Sequence, residues 1–374
     1  MSIAFYAPMK PLDDPRPSGD RTLGRLLFAA LEAAGRAPFI ACRFKSRDGR
    51  GDADRQARIA AIGEKLADRL VARLARRAAP PRAWLTYHLY YKAPDPIGPR
   101  VSAALGLPYV IAEASHAPAR LPGPWARGAA SAQRAIEQAD RILTLNPVDA
   151  PALTALRGGA DLVDFPPFID ARAFDGRLGA PDRSAARAAL SRRIGGDAAR
   201  PILLTAAMMR PGAKLRSYQA LAEAYRRSRA RPRLAIVGDG PARAEVEAAF
   251  AGLGAAFLGA CDAEGLRARY AGADLFAWPA IEEAFGMVFL EAQAAGLPIV
   301  AGNTGAGVAR MLRDGETGLL APLAPAAFAG AIDALAEDSA RRARMGAAAA
   351  RFARTRDLDA AARRLDAVLA ELGA

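Results

Sequence analysis

One rhythm runs twice along this chain and constrains its fold more than any other feature. Short apolar runs alternate with longer amphipathic stretches, as parallel α/β units require. In the first half, strands are expected at residues 3–7, 39–43, 83–86, 109–112 and 141–145, with helices at 21–34, 55–77, 99–105 and 129–139. Pro166–Pro167 then forces an extended segment. The rhythm restarts with strands at 202–206, 233–237, 256–258, 275–278 and 298–301, and helices at 217–228, 242–251, 266–270 and 286–295. The apolar window 318–335 reads as a loop followed by a helix at 325–337, and a helical pair spans 341–372.

At roughly 100–200 residues per domain, 374 residues make two domains. Residues 1–165 form the first, with 357–374 packed back on it. Residues 166–200 link the two and lead into the second, at 201–356. The expected fold is α/β, two Rossmann-like doubly wound domains facing a cleft. Ligands in such folds sit beyond the carboxyl ends of the strands, so the loops that follow strands are where chemistry belongs.

Net charge is +13 and the pI about 10.4. Only five of the 52 basic residues are lysine, so 52 − 5 = 47 are arginine, a bias that GC-rich coding produces without any functional demand. A nucleic-acid binder would interleave aromatics with its cations, and residues 55–82 contain none. Nucleic acid is therefore not an expected partner. Helix 55–77 is basic and amphipathic; it reads as a packing helix with a solvated arginine face, or as a peripheral contact with an anionic membrane. Residues 1–7 form a short strand without a basic leader, and no apolar run approaches ~18 residues. The expected location is cytoplasmic, soluble or peripheral on the inner face of a membrane. Cys42 and Cys261 make no CxxC pair, and Cys/His clusters are absent, so neither a disulfide scaffold nor a metal site is expected.

The most informative stretch is WPAIEEAFGMVFLEAQAAGLPIVA, residues 278–301. Phe285-Gly286-Met287 opens a helix whose free N–H groups make an anion site. Glu283 precedes that helix and can face a polar ligand. Glu291 lies about one and a half turns in, where it can accept two hydrogen bonds from a vicinal diol. The competing reading makes Glu282, Glu283 and Glu291 an acidic turn that stabilises the helix dipole. In TAAMMRPGAKLRSY, residues 205–218, Arg210 and Lys214 flank a Pro-Gly turn and can clamp a diphosphate. Gly238-Asp239-Gly240-Pro241 is first of all a tight strand-to-helix turn. After the first strand, Gly19 permits close backbone approach, Asp20 can cap a helix, and Arg21 can meet phosphate or acceptor. The only two histidines, His88 and His116, both follow strands.

The string EAFGMVFLEAQAAGLPIVA resembles the donor-site signature of family-4 retaining glycosyltransferases of the two-Rossmann-domain (GT-B) type. The resemblance extends to LAIVGDGPARAEVE, to AFLGACDAEGLRARYAGADLFAWPA and to DGETGLLAP, and so covers essentially the C-terminal half. It implies that Glu291 binds the ribose hydroxyls, and that Glu283 with the amides of Phe285, Gly286 and Met287 holds the donor sugar and its phosphate. Lys214 and Arg210 would stabilise the leaving diphosphate. Gly238 would lie near the nucleotide and Cys261 beside the base, read by backbone atoms. His116 and Glu113 become candidates near the reacting sugar, with His88, Gly19 and Arg21 on the acceptor or phosphate side.

The chain departs from the family pattern in three places. Ala207-Met208 stands where Gly-Arg is usual, Arg210 is four rather than five residues before Lys214, and Ala309-Arg310 replaces a Pro-Glu pair. The implied activity is a metal-independent, retaining hexosyltransferase. It would move sugar from a nucleotide-diphosphate sugar to a sugar, glycolipid or lipid-linked acceptor, in cell-surface polysaccharide, lipopolysaccharide or glycolipid synthesis, with no separate cofactor. A nucleotide-sugar epimerase or hydrolase on the same architecture is the alternative, followed by a non-enzymatic nucleotide binder.

Overall fold

The computed structural model describes residues 1–15, 18–159, 161–174 and 182–374. It divides into two compact units, Met1–Phe168 with Leu358–Ala374, and Ile169–Asp357.

The first unit runs β1 (Ser2–Tyr6), α1 (Gly19–Ala33), β2 (Ala37–Cys42), α2 (Ala53–Ala75), β3 (Ala83–Leu89) and α3 (Gly98–Leu105). It continues through β4 (Tyr109–Ala114), α4 (Ala126–Gln138), β5 (Arg141–Thr144), α5 (Ala150–Arg157) and β6 (Leu162–Asp164). All six strands are parallel, in the order β2-β1-β3-β4-β5-β6. Helices cover both faces of such a sheet, which is why β1 and β3 are nearly continuous buried runs rather than alternating ones. Chain direction across the sheet reverses between β1 and β3. The loops after those two strands therefore diverge and leave a crevice at their carboxyl ends.

Helix α1 buries Leu23, Leu27, Ala30 and Leu31, one stripe at helical spacing. Its N-cap is Ser18, whose Oγ accepts from the Arg21 amide at 3.2 Å, and not Asp20 as the sequence suggested. Ser18 wins because the cap residue must be extended while accepting from three residues on; Asp20 is one turn position too far and is free to point elsewhere. Pro17, next to this cap, lies outside the described residues. Helix α2 buries Ile59, Gly63, Ala67, Leu70 and Leu74 on one stripe and turns its arginines outward. Against the central strands β3 and β4, buried Asp95 accepts from the Ile97 and Gly98 amides at 2.8 and 2.7 Å, from Thr86 Oγ1 and from Tyr109 Oη at 2.9 Å.

The second unit runs α6 (Arg183–Ile194), β7 (Ile202–Ala206), α7 (Ala213–Arg227), β8 (Arg233–Val237), α8 (Arg243–Ala249) and β9 (Ala256–Phe257). Then follow α9 (Ala263–Gly272), β10 (Leu275–Trp278), α10 (Met287–Ala294), β11 (Ile299–Gly302), α11 (Ala306–Ala309), β12 (Gly318–Ala321), α12 (Pro325–Glu337) and α13 (Ser339–Arg354). Its parallel sheet has the order β12-β11-β10-β7-β8-β9, with the reversal between β7 and β10. The window expected to open as a loop instead opens with β12. Gly318 lets the backbones meet, since a Cβ there would lie 2.4 Å from the Ile299 carbonyl, and β12 gains its ladder from β11. Helix α6 forms within the stretch read as linker and packs on α9, where a Cβ on Gly272 would lie 2.7 Å from the Ala186 carbonyl.

Helix α14 (Leu358–Glu371) returns to the first unit and packs against α1. Arg36 anchors its end, with Nε donating to Asp366 at 2.9 Å and Nη1 to the Ala374 carbonyl at 2.6 Å.

Candidate functional site

Each unit gathers polar side chains where its sheet changes direction. In the second unit these come from the loops after β7 and β10, the two strands that flank the reversal, and from α7 and α10, the helices those loops lead into.

The loop after β7 is held by glycine contacts to the loop after β8. Gly238 has φ 142°, and a Cβ there would lie 1.9 Å from the Ala207 carbonyl; at Gly240 it would lie 2.3 Å from the Met209 carbonyl. Met209 N donates to Asp239 O at 2.9 Å, and Tyr218 Oη donates to Ala207 O at 2.6 Å. Gly238 N also reaches Gly259 O at 3.0 Å, which ties in the loop that carries Cys261. Gly238 is thus a packing residue of the crevice wall. Cys261 is half-buried, and burial pushes its thiol above the ordinary range, which lowers its thiolate fraction at neutral pH.

The loop after β10 carries two non-glycine residues in the left-handed region, Ala280 (φ 55°) and Glu282 (φ 53°). Such conformations cost of order 1–3 kcal/mol each and persist only where neighbours over-determine them. Ser217 Oγ on α7 accepts from the Ile281 amide at 2.9 Å, and Thr304 Oγ1 donates to Ala280 O at 3.0 Å. The loop is pinned from both sides.

That pinning brings Lys214 and Glu283 into a direct ion pair. Trp278 completes the group: its Nε1 donates to the same Glu283 oxygen at 3.2 Å, and Lys214 Nζ lies 5.4 Å from the ring centroid. Glu283 is therefore no acidic first-turn residue. Helix α10 starts at Met287 after Gly286 in the left-handed conformation, and its first turn contains no acid. The amides of Met287 and Val288 open the helix without intrahelical acceptors, while half-buried Phe285 leads into Gly286. Glu282 turns out to solvent and pairs with Arg216 at 2.7 Å. Glu291 points inward and accepts from Tyr270 Oη at 3.0 Å. Burial raises its carboxyl pKa, against the pull of the Tyr270 hydrogen bond. Arg210 is exposed on the loop that leads into α7, whose second residue is Lys214, and its amide is bonded to Met208 O.

In the first unit, His88 and Glu113 are the penultimate residues of β3 and β4, both in the left-handed region at φ 61° and 64°. Asp20 on α1 turns toward them. His88 Nδ1 lies 3.3 Å from Asp20 Oδ1 and 3.6 Å from Glu113 Oε2. Burial alone would lower the His88 pKa, but the charge of Glu113 and the nearby Asp20 carboxylate more than reverse it, raising it to about 9. Burial pushes the Glu113 carboxyl up, against the pull of His88. Asp149, at the start of α5, accepts from Ser115 Oγ at 2.6 Å. His116 stands apart from this group and is partly exposed, and burial lowers its pKa. Arg21 Nη1 donates to the Asp14 carbonyl at 2.7 Å, while a Cβ on Gly19 would meet open space.

The sequence reading did not single out Trp278, Tyr270, Ser217 or the Asp20–His88 pairing. The first had a visible signal, a tryptophan closing a strand immediately before the acidic loop. The others depend on which strands are neighbours.

Two six-stranded parallel sheets with their site residues at the two reversal points define a GT-B type fold. Residues 200–338 match the family model for glycosyl transferases group 1. Through its second unit the chain belongs to that family. It is 34% identical over 266 residues to a D-inositol 3-phosphate glycosyltransferase of Nocardia farcinica, covering 68% of this chain and 51% of that one. The chain spans about half or less of the length of the curated relatives it matches. Among solved structures it is similar in fold to a sucrose-phosphate synthase of Thermosynechococcus elongatus (TM-score 0.71, 20% identity, 99% and 98% of the two chains). It is also similar to Anabaena HepE, solved with UDP and glucose (TM-score 0.69, 16% identity, 98% and 99%). Among the described residues, no helix is long and apolar enough to cross a membrane.

Proposed function

We propose that this chain is a retaining glycosyltransferase that moves a sugar from a nucleotide-diphosphate sugar to an acceptor hydroxyl, in the synthesis of a cell-surface polysaccharide, lipopolysaccharide or glycolipid. One observation carries this reading: Lys214, in the first turn of α7, and Glu283, on the loop after β10, form an ion pair from the two sides of the sheet reversal, with Glu291 on the helix that follows that loop.

In this reading Glu291 accepts hydrogen bonds from the ribose, and Glu283 with the backbone around Gly286 holds the donor sugar. Lys214 has three N–H donors, and its pairing with Glu283 leaves others for phosphate. Lys214, Arg210 and the Met287 and Val288 amides stabilise charge that develops on the diphosphate as it leaves. Preorganised charge of this kind is usually the largest single contribution to catalysis. The anomeric carbon–phosphate oxygen bond breaks while the acceptor oxygen bonds to that carbon on the same face. The acceptor's proton passes to the departing diphosphate. The first unit supplies the acceptor groups, with Glu113 and His88 the best-placed pair and His116 a weaker candidate.

The test is calorimetric titration of UDP, GDP and ADP, and then of their sugars, against wild type and Glu291→Ala. Nucleotide binding that is absent, or unchanged in the variant, sinks the donor-site assignment. NMR of the product's anomeric proton tests retention separately. Turnover of donor without acceptor would favour the epimerase or hydrolase reading.

A further inference from the structure

The second unit contains a cavity of about 290 Å³ at the end of its sheet opposite Lys214 and Glu283. Its walls are the turn after α6, the segments that enter β7 and β8, the last turn of α7 and the segment before β9. All strands of a parallel sheet begin at one end, so this cavity lies away from the strand-end loops that carry the proposed donor site. None of the roles above uses it.

Three arginines line the cavity, Arg200, Arg231 and Arg233. Arg233 is only 8% exposed. A buried charge is normally paired with an opposite one, yet every acceptor of this guanidinium is neutral. They are Ser191 Oγ at 2.7 Å and the carbonyls of Arg200, Gly195 and Ala198 at 3.2, 3.3 and 3.5 Å. Arg231 stands in the left-handed region at φ 43°, a conformation that costs a non-glycine residue about 1–3 kcal/mol. Its Nε donates to Ser228 O at 3.0 Å and its Nη2 to Arg226 O at 2.9 Å, with the guanidinium 5.8 Å from the Tyr225 ring centroid. Its Nη1 is left for another acceptor. Among the described residues, the Arg200 side chain has no hydrogen-bond or ion-pair partner; only its carbonyl is used, by Arg233.

Two acids act on Arg233, and together they do not neutralise the group. Asp274 is paired with Arg187 and accepts from the Ile202 amide at 2.6 Å. Asp197 lines the cavity and offsets one of the three positive charges, while one of its oxygens accepts from the Ala199 amide at 2.9 Å. The lining therefore carries a net charge of +2 (3 − 1). Cations held around one concavity focus a positive potential into it.

That sum selects the ligand. A phosphate monoester carries about −1.5 to −2 at neutral pH and offers three oxygens to guanidinium forks. A carboxylate would leave one positive charge unmatched. At about 290 Å³ the cavity sits at the lower edge of the roughly 300–1,000 Å³ of ligand pockets, so it suits a phosphate with a small body. Ile194 and Leu253 give that body an apolar wall. The surroundings argue against a lipid headgroup. Among the described residues, the exposed large apolar side chains Met1, Ile62, Leu121 and Val148 all belong to the first unit, so this cavity has no apolar rim to enter a bilayer.

We propose that this cavity is an anion site separate from the proposed donor site, taking the phosphate group of inorganic phosphate or of a small phosphate monoester between Arg200, Arg231 and Arg233. It does not depend on the glycosyl-transfer reading.

The experiment is calorimetry on the full chain with inorganic phosphate, phenyl phosphate and benzoate, for wild type, Arg200→Gln, Arg231→Gly, Asp197→Asn and Lys214→Ala. Wild type should bind a phosphate probe about tenfold or more tightly than benzoate. Arg200→Gln removes a side chain without a protein partner, and Arg231→Gly keeps the left-handed backbone accessible, so both should fold. Each should weaken phosphate binding by about tenfold. Asp197→Asn keeps an acceptor for the Ala199 amide and removes the competing charge; it should tighten binding several-fold, a gain that a purely structural role for these arginines does not produce. Lys214→Ala should keep this binding. Phenyl phosphate ahead of inorganic phosphate identifies a monoester as the ligand, and the reverse order identifies inorganic phosphate. Absence of phosphate binding in wild type overturns the proposal, as do equal affinity for benzoate and unchanged affinity in both arginine variants. Phosphate binding that is lost in Lys214→Ala and kept in the arginine variants also overturns it, because it places the anion at the donor end of the sheet.

Discussion

Lys214 and Glu283 are separated by 69 positions in the chain and form an ion pair in the fold. The pair joins the start of α7, which follows β7, to the loop after β10; β7 and β10 are the neighbouring strands between which the second sheet reverses. Neither residue would be distinctive alone in a chain of 91 charged side chains (52 + 39). Their meeting at the reversal, over Trp278 and beside the start of α10, makes them the centre of the proposed donor site.

Lys214→Ala is expected to reduce kcat/KM by about 10²–10³, the usual loss on removing one preorganised charge-stabilising donor. Lys214→Arg should recover little of it, because a planar guanidinium cannot replace a compact ammonium wedged between Glu283 and the Trp278 ring. Steady-state rates with the donor identified by titration decide the matter. Activity of the alanine variant within a few-fold of wild type would remove Lys214 from the mechanism.

Substitution at Glu291 separates binding from folding. Glu291→Gln can still accept the hydrogen bond of buried Tyr270 and should fold normally, whereas Glu291→Ala strands that hydroxyl at a cost of about 1–3 kcal/mol. Both should weaken nucleotide binding by tenfold or more. Because burial raises the Glu291 pKa above 4.5, the folded chain holds this proton more tightly than the unfolded chain does. The contribution of Glu291 to stability therefore falls as pH rises above 4.5 through the folded pKa. In chemical denaturation, Glu291→Gln should gain stability over wild type at pH 7 and lose that advantage near pH 4. A stability difference independent of pH would contradict the burial of this carboxyl.

The two histidines should titrate far apart. Proton NMR is expected to give His88 a pKa of about 9 and His116 a value below 6.5. Glu113→Gln removes the larger of the charges that raise His88 and should lower its pKa. A His88 pKa raised in the folded state stabilises the fold fully below pH 6.5, and this contribution disappears as pH rises through 9. Its size is at most about 3 kcal/mol. His88→Gln should flatten the stability profile across that window; an unchanged slope would show that the Asp20–His88–Glu113 contacts are not formed in solution.

Asp95 is expected to be the costliest single polar loss in the first unit. Its side chain accepts from two amides and two hydroxyls in a buried pocket. Asp95→Ala leaves all four donors unsatisfied and should cost about 3–5 kcal/mol in denaturant titration. Asp95→Asn, which keeps one acceptor oxygen, should cost less. Equal stability of Asp95→Ala and wild type would contradict the network.

Much of this was legible in the order of residues. Period and run length gave the twofold α/β pattern, and strands at 202–206, 233–237 and 275–278 appear with those limits, because a buried parallel strand writes a continuous apolar run that ends where its loop begins. The string around Glu283 and Glu291 marked the donor loop through local spacing on one strand–loop–helix unit. Edge strands β6 and β12 were not legible: each is only three or four residues long, and a neighbour rather than an internal pattern makes it a strand. Nor could spacing assign partners. Glu283 as dipole partner or ion pair, and His88 or His116 as the histidine beside Glu113, were settled by which strand ends are neighbours. The sequence determined which residues sit at the ends of which strands. Tertiary structure decided which strand ends are adjacent, because a doubly wound sheet brings β1 beside β3 and β7 beside β10 only by crossing over elements that local propensity cannot see.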